Sequence, residues 1–437
     1  MAKFFKPTKK SVSQRFRTLS ISGLDHHGRG VAKDKGKVIF VAGALGSEQV
    51  KAEILSDKKN YAEARCVKVL SPSAERVEPK CQHYQHCGGC NLQHLEASAQ
   101  LAEKQKALAA LFHKFTGLSS LPWQSPIDSS PWHYRRSARV SVYCDNKQDT
   151  IKVGFRQQGS KQITNIVACP VLDAGFMGVF DFFRDVIGAH RALRCITHLQ
   201  LVSAKEHNFI VVRHTKAIAQ TLREDINAQA QQHNWQLVWQ SEAQQGLLST
   251  YYELESSQLR LGFGLQNFIQ VNAEVNDKML TQAMSWLNLA AHERVLDLFC
   301  GVGNFSLLAA MQAQHVTGVE GVESAVSHAR DNAQHNGIDN CDFHCSDLTQ
   351  PLAQAQWFSS ELDVLILDPS RTGAEAVLAQ LPCNQFKRIL YVSCDPVTLA
   401  RDSKIILASG HQLTKLGTMN MFPHTGHIET MALFERG

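Results

Sequence analysis

The chain has 437 residues, 44% of them hydrophobic and 19% charged. That balance suits about three globular domains of ~150 residues each and excludes intrinsic disorder, collagen and coiled coil. No apolar run approaches the ~18 residues that cross a bilayer, so no membrane partner is expected. The net charge of +5 hides an asymmetry. Residues 1–80 hold 17 Lys and Arg against 8 Asp and Glu, a balance of +9, whereas the remaining 28 and 32 give −4. A basic module on a near-neutral body points to an anionic partner, most simply nucleic acid.

The first residues are basic (Lys3, Lys6, Lys9, Lys10) but lead into Ser11, Ser13, Gln14 and Arg15, not into a secretory apolar stretch. A cytoplasmic enzyme is therefore expected. Twelve cysteines in a reducing compartment are free for chemistry or metal binding.

Apolar stretches at Leu19–Leu24, Val38–Val41, Val50–Leu55 and Cys66–Leu70, punctuated by Gly28, Gly30, Gly36, Gly43 and Gly46, predict a small β-barrel over residues 12–72. The run Gly28-Arg29-Gly30-Val31-Ala32, followed by basic residues and Val38-Ile39-Phe40-Val41, resembles the TRAM domain, an RNA-binding barrel of OB type. A Pro- and Ser-containing linker, Ser71 to Lys80, precedes Cys81, Cys87 and Cys90. The spacing C-x5-C-x2-C, with Cys169-Pro170 much later, offers soft thiolate ligands for zinc or an iron–sulfur cluster. It is not the C-x3-C-x2-C of radical S-adenosylmethionine enzymes.

Leu101, Leu108, Leu111 and Phe112 space a helix between Leu95 and Phe115. Ala138, Val140 and Val142 then alternate with Arg139, Ser141 and Tyr143 as a strand. Residues 75–265 thus read as a central mixed α/β domain, with Arg135, Arg136, Arg139 and Arg156 as basic residues. From residue 266 to 437, β-rich runs at Arg294–Phe299, His315–Glu320, Leu362–Asp368 and Ile389–Ser393 alternate with helical stretches. This pattern indicates a doubly wound, Rossmann-like parallel sheet.

Val295-Leu296-Asp297-Leu298-Phe299-Cys300-Gly301-Val302-Gly303-Asn304 is a strand entering a glycine turn. It lacks the third glycine of a dinucleotide site and looks like the first motif of S-adenosylmethionine-dependent methyltransferases. Glu320 follows Asp297 by 23 positions, where an acid can accept from ribose hydroxyls. Asp347 sits where methyltransferases touch adenine.

Asp368-Pro369-Ser370-Arg371 lacks the second proline and the aromatic used for amino methylation. Tyr391-Val392-Ser393-Cys394-Asp395-Pro396 instead places a thiol after an apolar strand. A thiolate adding to C6 of uracil makes C5 nucleophilic, and a base must then remove the C5 proton. Glu429, entering an apolar C-terminal strand, is the candidate base.

With Phe268-Ile269-Gln270-Val271-Asn272 and the terminal Gly426-His427-Ile428-Glu429, these motifs resemble the RNA uracil-C5 methyltransferase family along effectively the whole chain. The resemblance implies Cys394 as nucleophile and Glu429 as proton-abstracting base. It implies Gln270, Phe299, Asn304, Glu320, Asp347 and Asp368 as cofactor-pocket residues. It also implies a structural [4Fe-4S] cluster on Cys81, Cys87, Cys90 and Cys169. Barrel and cluster together favour 23S ribosomal RNA as substrate, at a position-1939-type uridine, by a monomer. The alternatives are another ribosomal or transfer-RNA uridine, a non-catalytic RNA-binding protein, or an iron–sulfur redox enzyme acting on RNA. The target uridine must be unstacked, and Phe268 is a candidate stacking partner.

Overall fold

A computed structural model describes residues 15–240, 250–352, 355, 357–358 and 361–437. The N-terminal lysines at 3, 6, 9 and 10, and the first three residues of the expected barrel, lie outside this range. The chain divides into two compact units. One comprises residues 1–80, 90–108 and 424–427; the other comprises 81–89, 109–423 and 428–437.

In the first unit, β1 (Phe16–Leu24), β2 (Gly30–Asp34), β3 (Lys37–Ala42), β4 (Gln49–Asp57) and β5 (Tyr61–Ser71) close a barrel in the order β1-β2-β3-β5-β4. Closure leaves no edge strand to aggregate, and alternation turns Leu19, Ile21, Ile39, Val41 and Val50 inward. Many of the cations counted in residues 1–80 are already neutralised on this barrel. Arg17 pairs with Asp34, Arg29 with Asp25, Lys37 with Asp57, and Arg65 with Glu53. Arg76 forms two bonds, 2.5 and 2.9 Å, to the buried Glu48 carboxylate.

The second unit contains two large sheets. A six-stranded sheet runs β11-β10-β9-β6-β7-β8, built from β6 (Ser137–Asp145), β7 (Thr150–Arg156), β8 (Ile163–Asn165), β9 (Ile196–Ser203), β10 (Asn208–His214) and β11 (Trp235–Trp239). One face packs Val140, Val142, Leu199, Leu201, Ile210 and Val212 against residues of the helices Val179–Ala189 and Gln220–Gln231. A hairpin, β12 (Thr250–Glu253) and β13 (Arg260–Phe263), follows.

The last sheet has seven strands: β14 (Arg294–Leu298), β15 (His315–Glu320), β16 (Cys341–Cys345), β17 (Val364–Leu367), β18 (Arg388–Ser393), β19 (His411–Met419) and β20 (Glu429–Arg436). Their order is β16-β15-β14-β17-β18-β20-β19. The first five are parallel, and β17 is fully buried, as a sheet covered on both faces requires. The order reverses between β14 and β17, the topological switch point where α/β sheets bind ligands beyond their carboxyl ends. β20 enters antiparallel between β18 and β19. No described helix is long and apolar enough to cross a membrane.

Candidate active site

The turn after β14 is the tightest part of the site. Phe299 and Cys300 both donate backbone N–H groups to the Val319 carbonyl, at 2.8 and 3.1 Å. This twists Phe299 to φ +66°, a left-handed conformation that costs a non-glycine residue about 1–2 kcal/mol. Gly301 follows at φ +56°, and a Cβ built there would meet nothing within 4 Å. The glycine is needed for its backbone angle, and its outer side faces open space.

Glu320, ending β15, accepts from the Gly301 N–H at 3.2 Å and the Val322 N–H at 3.1 Å, so both carboxylate oxygens are aimed by backbone. Asn304 is locked by Asn276 (2.9 Å) and by the Tyr252 hydroxyl (2.9 Å). The buried Arg136 guanidinium lies 4.4 Å over the Tyr252 ring and donates to the Gln270 carbonyl at 2.6 Å. One chain of contacts therefore positions both Gln270 and Asn304. Arg136, read from sequence as one of a basic group in the central domain, is a buried strut.

Asp297, Glu320 and Asp368 converge at the ends of β14, β15 and β17. Asp297 is fully buried and accepts from Ser306 Oγ at 2.5 Å. Burial, with Asp368 and Glu320 adding against the Ser306 hydrogen bonds, pushes its carboxyl up to about 7. Burial and Glu320 likewise push Asp368 up to about 7. Asp347 follows Ser346, whose N–H donates to the Glu320 carbonyl at 2.9 Å. It is exposed, and its oxygens accept from the Thr349 backbone and hydroxyl and from Gln350, closing a local turn beyond β16.

Cys394 follows the last residue of β18, and Glu429 opens β20. In the β18–β20 ladder Ser393 faces Thr430, so the next position outward brings Cys394 opposite Glu429. Glu429 is 3% exposed, whereas Cys394 is half-buried. Burial pushes the Cys394 thiol up to about 12; Glu429 and Asp368 add to the shift, and the Arg371 guanidinium opposes it. Asp395 then caps the helix Pro396–Ala408, its carboxylate accepting from Val397 N (2.9 Å) and Thr398 N (3.2 Å). The helix start beside Cys394 and the Arg371 charge both favour thiolate. Sequence reading quoted Arg371 without giving it a role. Its signal was its place three residues after Asp368. Exposed Phe268 (74%) precedes Gln270 by two residues.

Cys81, Cys87 and Cys169 act on one another electrostatically, and burial raises all three thiols, Cys169 to about 11. Each sulfur also receives backbone N–H groups: His83 and Tyr84 at Cys81, Gly89 at Cys87 (3.4 Å), Val171 and Leu172 at Cys169. Such N–H donors stabilise thiolate sulfur and tune clusters, so this donor set suits a thiolate-bound group. Among the described residues no group of three or more His, Cys, Asp or Glu is already arranged around a metal position. The loop is seated on the central sheet, Gly88 N donating to Arg156 O at 2.9 Å and Val167 N to His83 Nε2 at 3.1 Å. A side chain at Gly88 would meet that same carbonyl oxygen. Cys90 falls in the other compact unit.

The chain matches known proteins along nearly its whole length. The tRNA (Uracil-5-)-methyltransferase family model matches residues 96–437, and the TRAM domain model matches residues 15–67. A protein of Pseudoalteromonas translucida named 23S rRNA (uracil(1939)-C(5))-methyltransferase RlmD is 55% identical over 440 residues, covering 100% of both chains. A protein of the same name from Vibrio cholerae is 42% identical, with 99% of each chain covered. The crystal structure of Pyrococcus abyssi tRNA (uracil-54, C5)-methyltransferase, in complex with S-adenosyl-L-homocysteine, shares the fold. Its TM-score is 0.73 at 20% identity, covering 95% of this chain and 99% of that one. The chain carries a TRAM domain ahead of the region matched by the family model and belongs to the tRNA (uracil-5-)-methyltransferase family.

Proposed function

We propose that this protein methylates C5 of a uridine in 23S ribosomal RNA, at a position-1939-type site, with S-adenosylmethionine as methyl donor. The full-length relatives of that name support the substrate. The observation that carries the chemistry is the placement of the Cys394 thiol opposite the buried Glu429 carboxylate. Residues 12–72 serve as the RNA-binding barrel, 75–265 as the central RNA-binding domain and 266–437 as the catalytic domain. The protein acts as a cytoplasmic monomer.

Gln270, Phe299, Asn304, Glu320, Asp347 and Asp368 line the cofactor pocket. When bound there, S-adenosylmethionine supplies an electrophilic methyl on a cationic sulfur. Glu320 accepts from the ribose, and the acidic edge formed with Asp368 favours a cationic ligand over a neutral one. Cys394, as thiolate, bonds to C6 of the uracil, and the electron pair displaced from C5=C6 makes C5 the nucleophile. After C5 is methylated, Glu429 takes the C5 proton. The electron pair of that C–H bond restores C5=C6 and expels the Cys394 thiolate. The uridine must leave its stack to be reached, and exposed Phe268 offers a face to hold it.

Cys81, Cys87, Cys90 and Cys169 hold a [4Fe-4S] cluster. When present, the cluster supplies a rigid cross-link of the linker to the central domain, with no electron demanded by uracil methylation. Anaerobically purified protein should contain about four iron and four sulfide per chain, and Cys87→Ser should lose both.

The deciding experiment uses 23S rRNA transcript and full-length variants. Cys394→Ser should abolish methyl transfer while S-adenosylhomocysteine binding stays within about twofold. Glu429→Gln should accumulate an RNA–protein adduct resistant to denaturing gels. Methyl transfer by Cys394→Ser would overturn the covalent route, and rapid turnover by Glu429→Gln would remove Glu429 as the base.

A further inference from the structure

The six-stranded sheet has two unlike faces. Residues alternate across a strand, so the positions between the core residues point away from the helices. They include Arg139 and Tyr143 on β6, Lys152 and Arg156 on β7, His198 on β9 and Arg213 on β10; Val202, Phe209 and Val211 share this face but are buried, so it is partly covered at β9 and β10. Register brings them together. His198 faces Arg213 on one side and Ser141 on the other. Arg139 faces Gln200, and Tyr143 faces Lys152. Gln200 is pinned by its bond to the Leu265 carbonyl at 2.7 Å and accepts from Arg213 at 3.5 Å.

Apart from Asp145, whose carboxylate accepts from the Lys147 and Gln148 N–H groups in the turn after β6, the charged strand residues of this face are cationic. Partial burial, joined by the charges of Arg139, Arg156 and Arg213, holds the His198 imidazole below its ordinary range. Among the described residues none of these three guanidiniums pairs with a carboxylate. Neighbouring arginines do: Arg184 pairs with Asp181, and Arg194 with Asp149. Three unpaired guanidiniums around one imidazole repel each other, and an arriving polyanion relieves that repulsion. Guanidinium groups also match phosphate with two parallel N–H bonds. The face exposes one large aromatic residue, Tyr143 at 50%, and no apolar patch of the sort that centres a protein–protein interface. The Arg156 carbonyl accepts from Gly88 in the cysteine loop, so the loop borders the charged face.

We propose that the cationic part of this sheet face is a phosphate-binding surface for the RNA substrate, with Arg139, Arg156 and Arg213 gripping its backbone. The assignment rests on RNA being the substrate and adds where, outside the catalytic centre, that RNA is held.

The test compares the full-length protein with the double variant Arg139→Gln/Arg213→Gln. The charge-matched control is Arg191→Gln/Lys404→Gln, whose side chains lie outside this set. Binding of 23S rRNA transcript is titrated between 50 and 200 mM KCl, and methylation is followed at saturating RNA. Each lost phosphate contact removes roughly 0.7–0.9 from the slope of log affinity against log salt. The double variant should therefore show a slope shallower by about 1.5 and weaker binding at 50 mM. The control should keep the original slope, and methylation at saturating RNA should stay within about threefold. A double variant with the original slope and affinity overturns the proposal, and so does a control that changes equally. If the slope changes but no 5-methyluridine forms even in the unsubstituted protein, the surface stands and the uridine-methylation reading fails.

Discussion

Tyr391 donates its phenolic hydrogen to the carboxylate of Asp402 at 2.7 Å, both side chains being fully buried. The pair also receives the Ala374 N–H, at 3.0 Å on the Tyr391 oxygen and 2.7 Å on Asp402 Oδ2. Arg401 donates to the other Asp402 oxygen at 2.7 Å and to the Thr372 carbonyl at 3.0 Å. This knot ties the end of the turn that carries Asp368 and Arg371 to the body of the sheet.

Removing one acceptor from the knot should cost stability. Asp402→Asn forfeits the charge that pairs with Arg401 and should lose about 2 kcal/mol, whereas Tyr391→Phe should lose about 1 kcal/mol. The two losses share partners and should not add. Urea denaturation of the two single variants and the double variant measures the coupling, and strict additivity would show that the groups act separately.

Cys394 should resist alkylation in the ligand-free protein. With the thiol raised to about 12, the thiolate fraction grows about tenfold per pH unit across the neutral and mildly alkaline range. Iodoacetamide labelling of the Cys394 peptide, read by mass spectrometry, should still be climbing at pH 10. Arg371→Gln removes the opposing positive charge and should slow labelling at every pH. A plateau near pH 8.5 would mean that the acids around the thiol do not act on it.

Asp297 should make the protein less stable as pH rises. Its folded carboxyl titrates at about 7, above the unfolded value near ~3.9. The folded state therefore binds the extra proton between those values, and stability falls with pH across that window. Asp297→Asn should exceed the parent by about 1 kcal/mol near pH 4.5 and by a few kcal/mol at pH 8. Parallel denaturation curves at the two pH values measure the difference. An equal offset at both would remove Asp297 as its source.

Gly301→Ala separates folding from ligand binding. Its φ of +56° should cost about 1–2 kcal/mol of stability, without a clash, since the new methyl meets no protein atom within 4 Å. Calorimetry should show S-adenosylhomocysteine binding weakened by at least tenfold if the ligand occupies that space, as proposed. Unchanged affinity would place the ligand elsewhere.

The legible parts of the fold were those where burial writes itself as apolar pattern. Arg294–Phe299, His315–Glu320 and Ile389–Ser393 were read nearly to the residue, because a strand covered on both faces is almost wholly apolar. β16, Cys-Asp-Phe-His-Cys, escaped notice: as the edge strand of its sheet it buries only Phe343. β2 forms no apolar stretch of its own, because only Val31 and Ala32 of its five residues are apolar. Within the site, Asp297, Glu320 and Cys394 could be placed by strand-end position alone. The strut of Arg136 and Tyr252 could not, because it joins residues 116 positions apart through a contact no local pattern encodes. Likewise, the basic excess of residues 1–80 was visible, whereas the carboxylates that neutralise much of it become visible only across the barrel's ladders.

The reversed direction of β20 has a consequence for how this site tolerates change. Parallel strands deliver their final residues to the ligand edge, but a returning strand delivers its first. Thr430 through Phe434 are locked in the core, and they act as a ruler that fixes where the carboxylate before them stands. A single residue gained or lost inside the strand would turn that carboxylate to the opposite side of the sheet.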